Sequence, residues 1–290
     1  MDPRFDTITF LSDYGTGDEF VGVVHSVIRS LAPHVTIIDL THEIPAYDVR
    51  AGSLTLGRAA QYLCPGVVLA VVDPGVGTPR RGVAVEVGGG QSYLVGPDNG
   101  LLASAVAMCG GATAAVELAN PEYQLEAPGP TFAGRDIFAP AAAHLCLGLP
   151  LAELGPAIDP LTLLPGLLPL TREEGSALIA EVLWVDRFGN AQLNVDPAEV
   201  ERFGGRVQVR WGDDVRTARI AHTYDGIEPG QVGLVVDSYG MLSVCLGRRS
   251  AAAELGMPVG TEITLQAPAD DDLPATPSQP VTLTPRSPTP

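Results

Sequence analysis

Five times in the first half of this 290-residue chain, polar side chains able to do chemistry follow a short apolar run. The segments are Ser12-Asp13-Tyr14-Gly15-Thr16-Gly17-Asp18-Glu19, Thr41-His42-Glu43-Ile44-Pro45, Asp73-Pro74-Gly75-Val76-Gly77, Gly96-Pro97-Asp98-Asn99-Gly100 and Thr131-Phe132-Ala133-Gly134-Arg135-Asp136. Asp73 ends a wholly apolar run and has Arg80 seven residues on. A carboxylate beside a guanidinium is a weak base but a good anchor for water, so the pair is a catalytic candidate. Asp13 and Asp18 read either as ligand-binding carboxylates or as turn residues, with Thr16-x-x-Glu19 as a capping box for the next helix. His42-Glu43 lacks the second histidine of a zinc-binding helix motif. Gly75-Val76-Gly77 does not lead into a helical pattern, which argues against a dinucleotide loop. His144 lies in an alanine-rich run and reads as a packed core residue, while His25, His34 and His222 carry no partner signal. In the second half, Asp186-Arg187-Phe188-Gly189-Asn190 and Asp237-Ser238-Tyr239-Gly240 either suit a purine, by stacking and edge hydrogen bonds, or are two tight β-turns.

These residues need a frame. Residues 7–11, 35–40 and 67–72 read as strands, the last two as buried ones, and 83–87 and 92–95 add two more. Phe20, Val23, Val24, Val27, Ile28 and Leu31 share one helical face, stopped by Pro33. Further helices are predicted over 49–63, 101–109 and 138–147. Apolar strands alternating with helices imply an α/β domain, a mostly parallel sheet flanked by helices. Ligands bind such sheets at the carboxyl ends of the strands, so several of these polar loops should converge on one crevice. Residues 149–176, rich in proline and leucine, read as a linker packed on the surface. From Ala177 on, short alternating runs broken by Gly, Asp and Pro predict a β-barrel. The expected organisation is an N-terminal domain over 1–170 including the linker, a barrel over 177–266, and a disordered Pro-rich tail over 267–290.

Composition removes several function classes. The 34 acids and 17 bases give a formal net charge of −17, which argues against nucleic acid as a partner. Every base is arginine, so a Schiff-base lysine, a lysine general base and a Walker lysine are excluded. The four cysteines are widely spaced among apolar neighbours, which predicts buried thiols in a reducing compartment. With no apolar run of membrane-spanning length and no signal-peptide core, a cytoplasmic protein without membrane contact is expected.

Taken in order, the motifs resemble the S-adenosyl-L-methionine (SAM) hydroxide adenosyltransferase family, SAM hydrolases related to fluorinase and chlorinase. The match runs through Leu11-Ser-Asp-Tyr-Gly, Asp39-Leu-Thr-His-Glu-Ile-Pro, Val72-Asp-Pro-Gly-Val-Gly, Gly96-Pro-Asp-Asn-Gly-Leu-Leu, Thr131-Phe-x-Gly-Arg-Asp-Ile-Phe-Ala-Pro, Phe188-Gly-Asn and Ser238-Tyr-Gly, over about residues 5–266. The resemblance implies a metal-independent hydrolysis of SAM, as substrate and without cofactor, to adenosine and L-methionine. It also implies a homotrimer with active sites at subunit interfaces. It makes Asp73 and Arg80 the catalytic pair and gives Asp13 the ribose hydroxyls. Tyr47 and Phe132 would line the ribose and C5′. Asp18, Asp186, Ser238 and Tyr239 would hold the methionine ends, and Phe188 and Asn190 the adenine. In the halogenases an uncharged residue replaces the aspartate, so Asp73 favours hydrolysis. Where the family hydrolases carry histidine this chain has Ala133, which removes the third member of an Asp-Arg-His group.

Other classes stay open at this point: a non-catalytic SAM- or adenosine-binding protein or inactive variant, favoured by Ala133; a metal-dependent phosphohydrolase; and a halogenase. The tail gives a first prediction. With seven prolines from Pro268 onward and almost no apolar face, its deletion after Ala267 should leave the melting temperature unchanged, and a clear drop in thermal unfolding would contradict this.

Overall fold

The computed structural model describes residues 4–268, and the chain divides between Leu168 and Pro169 into two compact units. From residue 269 on, the expected tail lies outside the described residues.

The first unit is built on one sheet of β1 (Thr7–Ser12), β2 (Thr36–Thr41), β3 (Gly66–Val71), β4 (Gly82–Val87), β5 (Ser92–Pro97), β6 (Ala112–Glu117) and β7 (Ala157–Ile158), in the order β2-β1-β3-β5-β4-β6-β7. The pairs β1–β2, β1–β3 and β3–β5 are parallel, whereas β4 runs antiparallel between β5 and β6. Each residue of β3 is buried, and its alternate side chains feed two cores. Val67, Leu69 and Val71 pack with Val24 and Ile28 of α1 (Phe20–Leu31), whereas Val68, Ala70 and Val72 pack with Leu56 of α2 (Val49–Ala59) and Ala105 of α3 (Ala103–Met108). Helix α4 (Ala139–Cys146) joins α1 on the first face. The chain leaves β1 toward β2 on one side and returns to β3 on the other, which opens a crevice beyond the ends of β1 and β3.

The second unit comprises β8 (Arg172–Glu174), β9 (Ala177–Val185), β10 (Ala191–Leu193), β11 (Arg206–Trp211), β12 (Asp214–Ala221), β13 (Val232–Val236), β14 (Leu242–Leu246) and β15 (Glu262–Gln266). The order β10-β14-β13-β12-β11-β15-β9 closes on itself through β9–β10, giving a seven-stranded barrel with β8 added on β9. Alternating residues such as Val207, Val209 and Trp211, with Leu234, Val244 and Ile263, fill it. Helices α5 (Pro197–Val200) and α6 (Ala251–Leu255) are short; α6 starts on Ser250, whose hydroxyl accepts from Ala253 N.

Several readings of the sequence are corrected. The apolar run at 35–40 is not a buried strand: β2 is the sheet edge, and Ile38 is 41% exposed. An edge strand and a central one carry the same apolar signal when only one side of the run is covered. Thr16 and Glu19 form no capping box, because α1 begins at Phe20 and puts Glu19 itself at the cap, without a side-chain hydrogen bond. Part of the linker is in the sheet, as β7 pairs with β6. Cys146 and Cys245 are buried, but Cys64 is exposed in the loop before β3. Among the described residues no helix is long and apolar enough to cross a membrane.

Leu69 is fully buried in the middle of β3. Leu69→Ala should destabilise the first unit by about 2–5 kcal/mol through lost transfer energy and a cavity; chemical denaturation with an unchanged midpoint would refute it.

Candidate active site

The strand-end loops of the first unit hold one another through backbone groups. Asp13 N donates to Val71 O, tying the end of β1 to that of β3, and Gly15 N donates to His42 O at 2.8 Å. Tyr47 N donates to Asp13 Oδ2 at 2.9 Å. Tyr47 sits at φ 68°, a left-handed conformation that a bulky side chain adopts only under constraint, and its side chain is 74% exposed. Asn99 Nδ2 donates to Val72 O at 2.9 Å and so braces the residue before Asp73.

Asp73 and Arg80 form a bidentate pair. Arg80 Nε reaches Oδ1 at 2.8 Å and Oδ2 at 3.0 Å, and Nη2 also donates to Oδ2. Both side chains are mostly buried, and the guanidinium carbon lies 5.1 Å from the Phe138 ring centroid, in the range of a cation–π contact. Ala133 ends the next loop and caps a π-helical turn, Gly134–Phe138, that runs directly into α4. Such turns are uncommon and concentrate at functional sites.

Asp13, Tyr47, Asp73, Phe132 and Ala133 line one cavity of about 310 Å³ together with Tyr14, Phe20, Ala46, Val76, Thr131 and Gly134. Arg80 meets it through Asp73. Asp18 lies on the exposed stretch before α1, outside this lining. Asp98 and His42 serve the framework: buried Asp98 accepts from Arg81 Nε at 3.0 Å and from Leu164 N at 2.8 Å. His25 and His34 do have partners. His25 Nε2 is 2.8 Å from Asp39 Oδ1, and His34 Nε2 is 3.1 Å from Phe5 O; both contacts bridge segments distant in sequence, which spacing alone cannot reveal. His42 Nε2 shares the same Asp39 oxygen at 2.9 Å while its Nδ1 meets Ser12 Oγ at 2.7 Å. Burial alone would raise the Asp39 pKa, but the hydrogen bonds from His42 and His25 outweigh it and hold the carboxyl below its ordinary value. Among the described residues His25, Asp39 and His42 are the group placed closely enough to ligate an ion, with ligand atoms within 4.8 Å of one another.

In the second unit both candidate segments are tight turns. Asp186 Oδ1 accepts from Phe188 N at 2.9 Å and Asn190 N at 2.8 Å, and its Oδ2 from Asn190 Nδ2 at 2.7 Å. Asp237 accepts from Tyr239 N at 2.8 Å and shapes the turn that carries Ser238 and Tyr239. Phe188 and Asn190 line a second cavity, about 600 Å³, with Tyr224, Ile227, Cys245, Leu246, Arg248, Arg249 and Ser250. Arg248, like Tyr47, has a positive φ, here 60°. The sequence reading missed Tyr14, Tyr224 and Arg248. Tyr14 stood beside Asp13 in a segment already singled out; Tyr224 and Arg248 reach their cavity only through barrel closure.

The site thus defines a small-molecule-binding protein of α/β-plus-barrel architecture, with a buried carboxylate–guanidinium pair at the end of the central strand. The chain belongs to the SAM hydroxide adenosyltransferase family: the profile of the family's N-terminal domain matches residues 8–155 and that of its C-terminal domain residues 180–264. A protein from Salinispora tropica named (R)-S-adenosyl-L-methionine hydrolase is 45% identical over 260 residues, covering 90% of this chain and 97% of its own. One of the same name from Thermus thermophilus is 41% identical over 265 residues, covering 89% and 98%. The crystal structure of an uncharacterized conserved protein from Thermotoga maritima superposes with a TM-score of 0.82 at 34% identity, covering 89% of this chain and 99% of that one.

Removing one partner of a buried ion pair leaves the other charge uncompensated. Arg80→Met should therefore cost about 3–5 kcal/mol of stability, and a urea midpoint equal to that of the unchanged protein would contradict the pairing.

Proposed function

We propose that this chain hydrolyses SAM to adenosine and L-methionine by attack of water or hydroxide at ribose C5′. The observation that carries the reading is the Asp73–Arg80 pair, whose carboxylate opens on the same cavity as Asp13, Tyr47 and Phe132. A sulfonium is already a good leaving group, so no general acid is required. What the protein must supply is an oxygen nucleophile in line with the C–S bond, which is a matter of position. Asp73, oriented by Arg80, holds that water, and its negative charge disfavours halide in the same place. SAM is the substrate and no cofactor takes part. Asp13 takes the ribose hydroxyls, with Tyr47 and Phe132 about the ribose and C5′. Phe188 and Asn190 take the adenine. Asp18, Asp186, Ser238 and Tyr239 are assigned to the methionine ends, although the hydrogen bonds that Asp186 accepts within its own turn leave it less free for a ligand.

The functional unit in this reading is a homotrimer in which each half-site is completed by another copy of the chain. Tyr47 and Phe188, assigned to opposite ends of the nucleoside, are 74% and 77% exposed, as expected for two half-sites. The linker adds Leu161, Leu167 and Leu170, all left in solvent, which suits burial against a further copy. We place the protein in the cytoplasm, where SAM is made and used, with domains over 1–170 and 177–266.

Ala133 favours a second reading, a SAM- or adenosine-binding protein without turnover. Incubation with SAM followed by chromatography separates the two: equal adenosine and methionine, with no 5′-halo-adenosine in chloride or fluoride and no loss in a chelator, supports hydrolysis, whereas tight binding without adenosine supports the second. Asp13→Ala should weaken SAM binding by about 2–4 kcal/mol, the value of lost charge-assisted hydrogen bonds. Asp73→Asn should lower turnover, and Ala133→His should raise it by about 100-fold through an imidazole able to accept the water's proton. Equal rates for Ala133→His and the unchanged protein would mean that the Asp–Arg pair suffices.

A further inference from the structure

The cavity contains two neutral hydroxyls that these assignments leave unused, those of Tyr14 and Thr131. Three hydroxyls line it, those of Tyr14, Tyr47 and Thr131; the latter two residues are exposed, whereas Tyr14 is half-buried. The Tyr14 ring meets Phe10, Phe20 and Phe132 at centroid distances of 6.4, 5.6 and 5.7 Å, which fixes its direction. Its oxygen abuts the backbone of Gly134, where an added Cβ would collide with it. The hydroxyl therefore stands at the start of the π-helical turn, one residue from Ala133. Among the described residues none hydrogen-bonds to it, and a half-buried hydroxyl without a protein partner, in a cavity that also holds the Asp13 and Asp73 carboxylates, takes water. Burial raises the phenol pKa above its ordinary value, with Asp13 and Asp73 adding to the rise, Arg80 opposing it and Asp136 adding a little more. At neutral pH the group is thus an uncharged phenol able to accept and donate a hydrogen bond, and not a base.

We propose that the Tyr14 hydroxyl holds the attacking water against Asp73, a role that rests on the hydrolysis reading above. One water hydrogen is accepted by the Tyr14 oxygen and the other by the Asp73 carboxylate, which leaves a lone pair for C5′. As the O–C5′ bond forms, the C5′–S bond breaks and its electron pair stays on sulfur, giving the neutral thioether of methionine. One water proton passes to Asp73 and on to solvent, and Tyr14 keeps its own. The side chain of Ala133 offers no polar atom, so in this chain the phenol supplies the neutral contact on that side of the water.

Tyr14→Phe removes the oxygen and leaves the ring contacts in place. Its kcat for adenosine release should fall about 10-fold, the loss of one well-placed hydrogen bond. KM, SAM affinity by calorimetry and melting temperature should stay as they were. A structural role would instead move the melting temperature or KM. In an Ala133→His background the same change should cost less than 3-fold, because the imidazole also reaches the water. Equal kcat for Tyr14→Phe and the unchanged protein would overturn the proposal while leaving hydrolysis intact, and so would an undiminished 10-fold loss in the histidine background. No adenosine from the unchanged protein or from Ala133→His would overturn the hydrolysis reading, and the role of Tyr14 with it.

Discussion

The Asp73–Arg80 ion pair is the interaction on which the rest of the first unit depends. A carboxylate placed two residues beyond a strand buried at each of its residues is tolerable only when a counter-charge and hydrogen bonds meet it. Arg80 meets that demand with the Nε–Nη2 edge of its guanidinium, and Phe138 lies against the guanidinium as an apolar and π surface. Because Phe138 closes the π-helical turn that begins beside Ala133, the ion pair also sets where the Thr131–Gly134 loop runs. The chain around the pair is local: the turn from Asp73 to Thr78 closes by backbone bonds from Val76 to Asp73 and from Thr78 to Gly75, so a short stretch of sequence delivers both charges.

The other loops are fixed less by charge than by cross-loop hydrogen bonds. Asp13 is both a candidate ligand and a strut, since one of its oxygens accepts the Tyr47 amide. That bond holds Tyr47 in a conformation that costs about 1–2 kcal/mol for an L side chain, and presents its ring to solvent instead of the core. The barrel does the same with Arg248, whose positive φ borders the cavity lined by Phe188 and Asn190. In each unit a non-glycine residue is strained beside a cavity. Strain of this kind persists where the surrounding structure over-determines it, which is the condition of a preorganised site.

How much of this was legible follows from the range of each signal. The β3 run, the α1 stripe and the turn residues after each strand act over a few positions, and they predicted the α/β unit, the barrel and the convergence of Asp13, Asp73, Phe132 and Ala133. Signals that depend on distant segments were invisible. Edge and centre of a sheet differ only in their neighbours, so the apolar run of β2 reads as buried although the strand lies at the edge. His25 meets Asp39 across fourteen residues and His42 meets Ser12 across thirty, and neither pairing has a sequence spacing of its own. Asp98 sat in a motif-like loop and proved to be a brace for Arg81 and the linker. Tyr14 is legible as a residue but not as a site, because the proposed role rests on a hydroxyl that has no hydrogen-bond partner among the described residues.

Under the hydrolysis reading, the alanine at 133 sharpens what catalysis here requires. General-base assistance contributes about 10²–10⁴-fold in rate, or about 3–5 kcal/mol of barrier, whereas positioning a nucleophile at a preformed electrophile contributes up to about 7–11 kcal/mol. With a sulfonium as leaving group, bond cleavage needs no proton delivered, and water loses its proton late, once the oxygen already carries positive charge. A site that fixes water between a carboxylate and a neutral phenol keeps the larger of these contributions after losing the smaller. The same reasoning fits the position of Arg80, which is bound to the Asp73 carboxylate and does not line the cavity. A guanidinium in contact with the nucleophile would compete for its lone pair, but one step removed it fixes the geometry of Asp73 and leaves the water free to react.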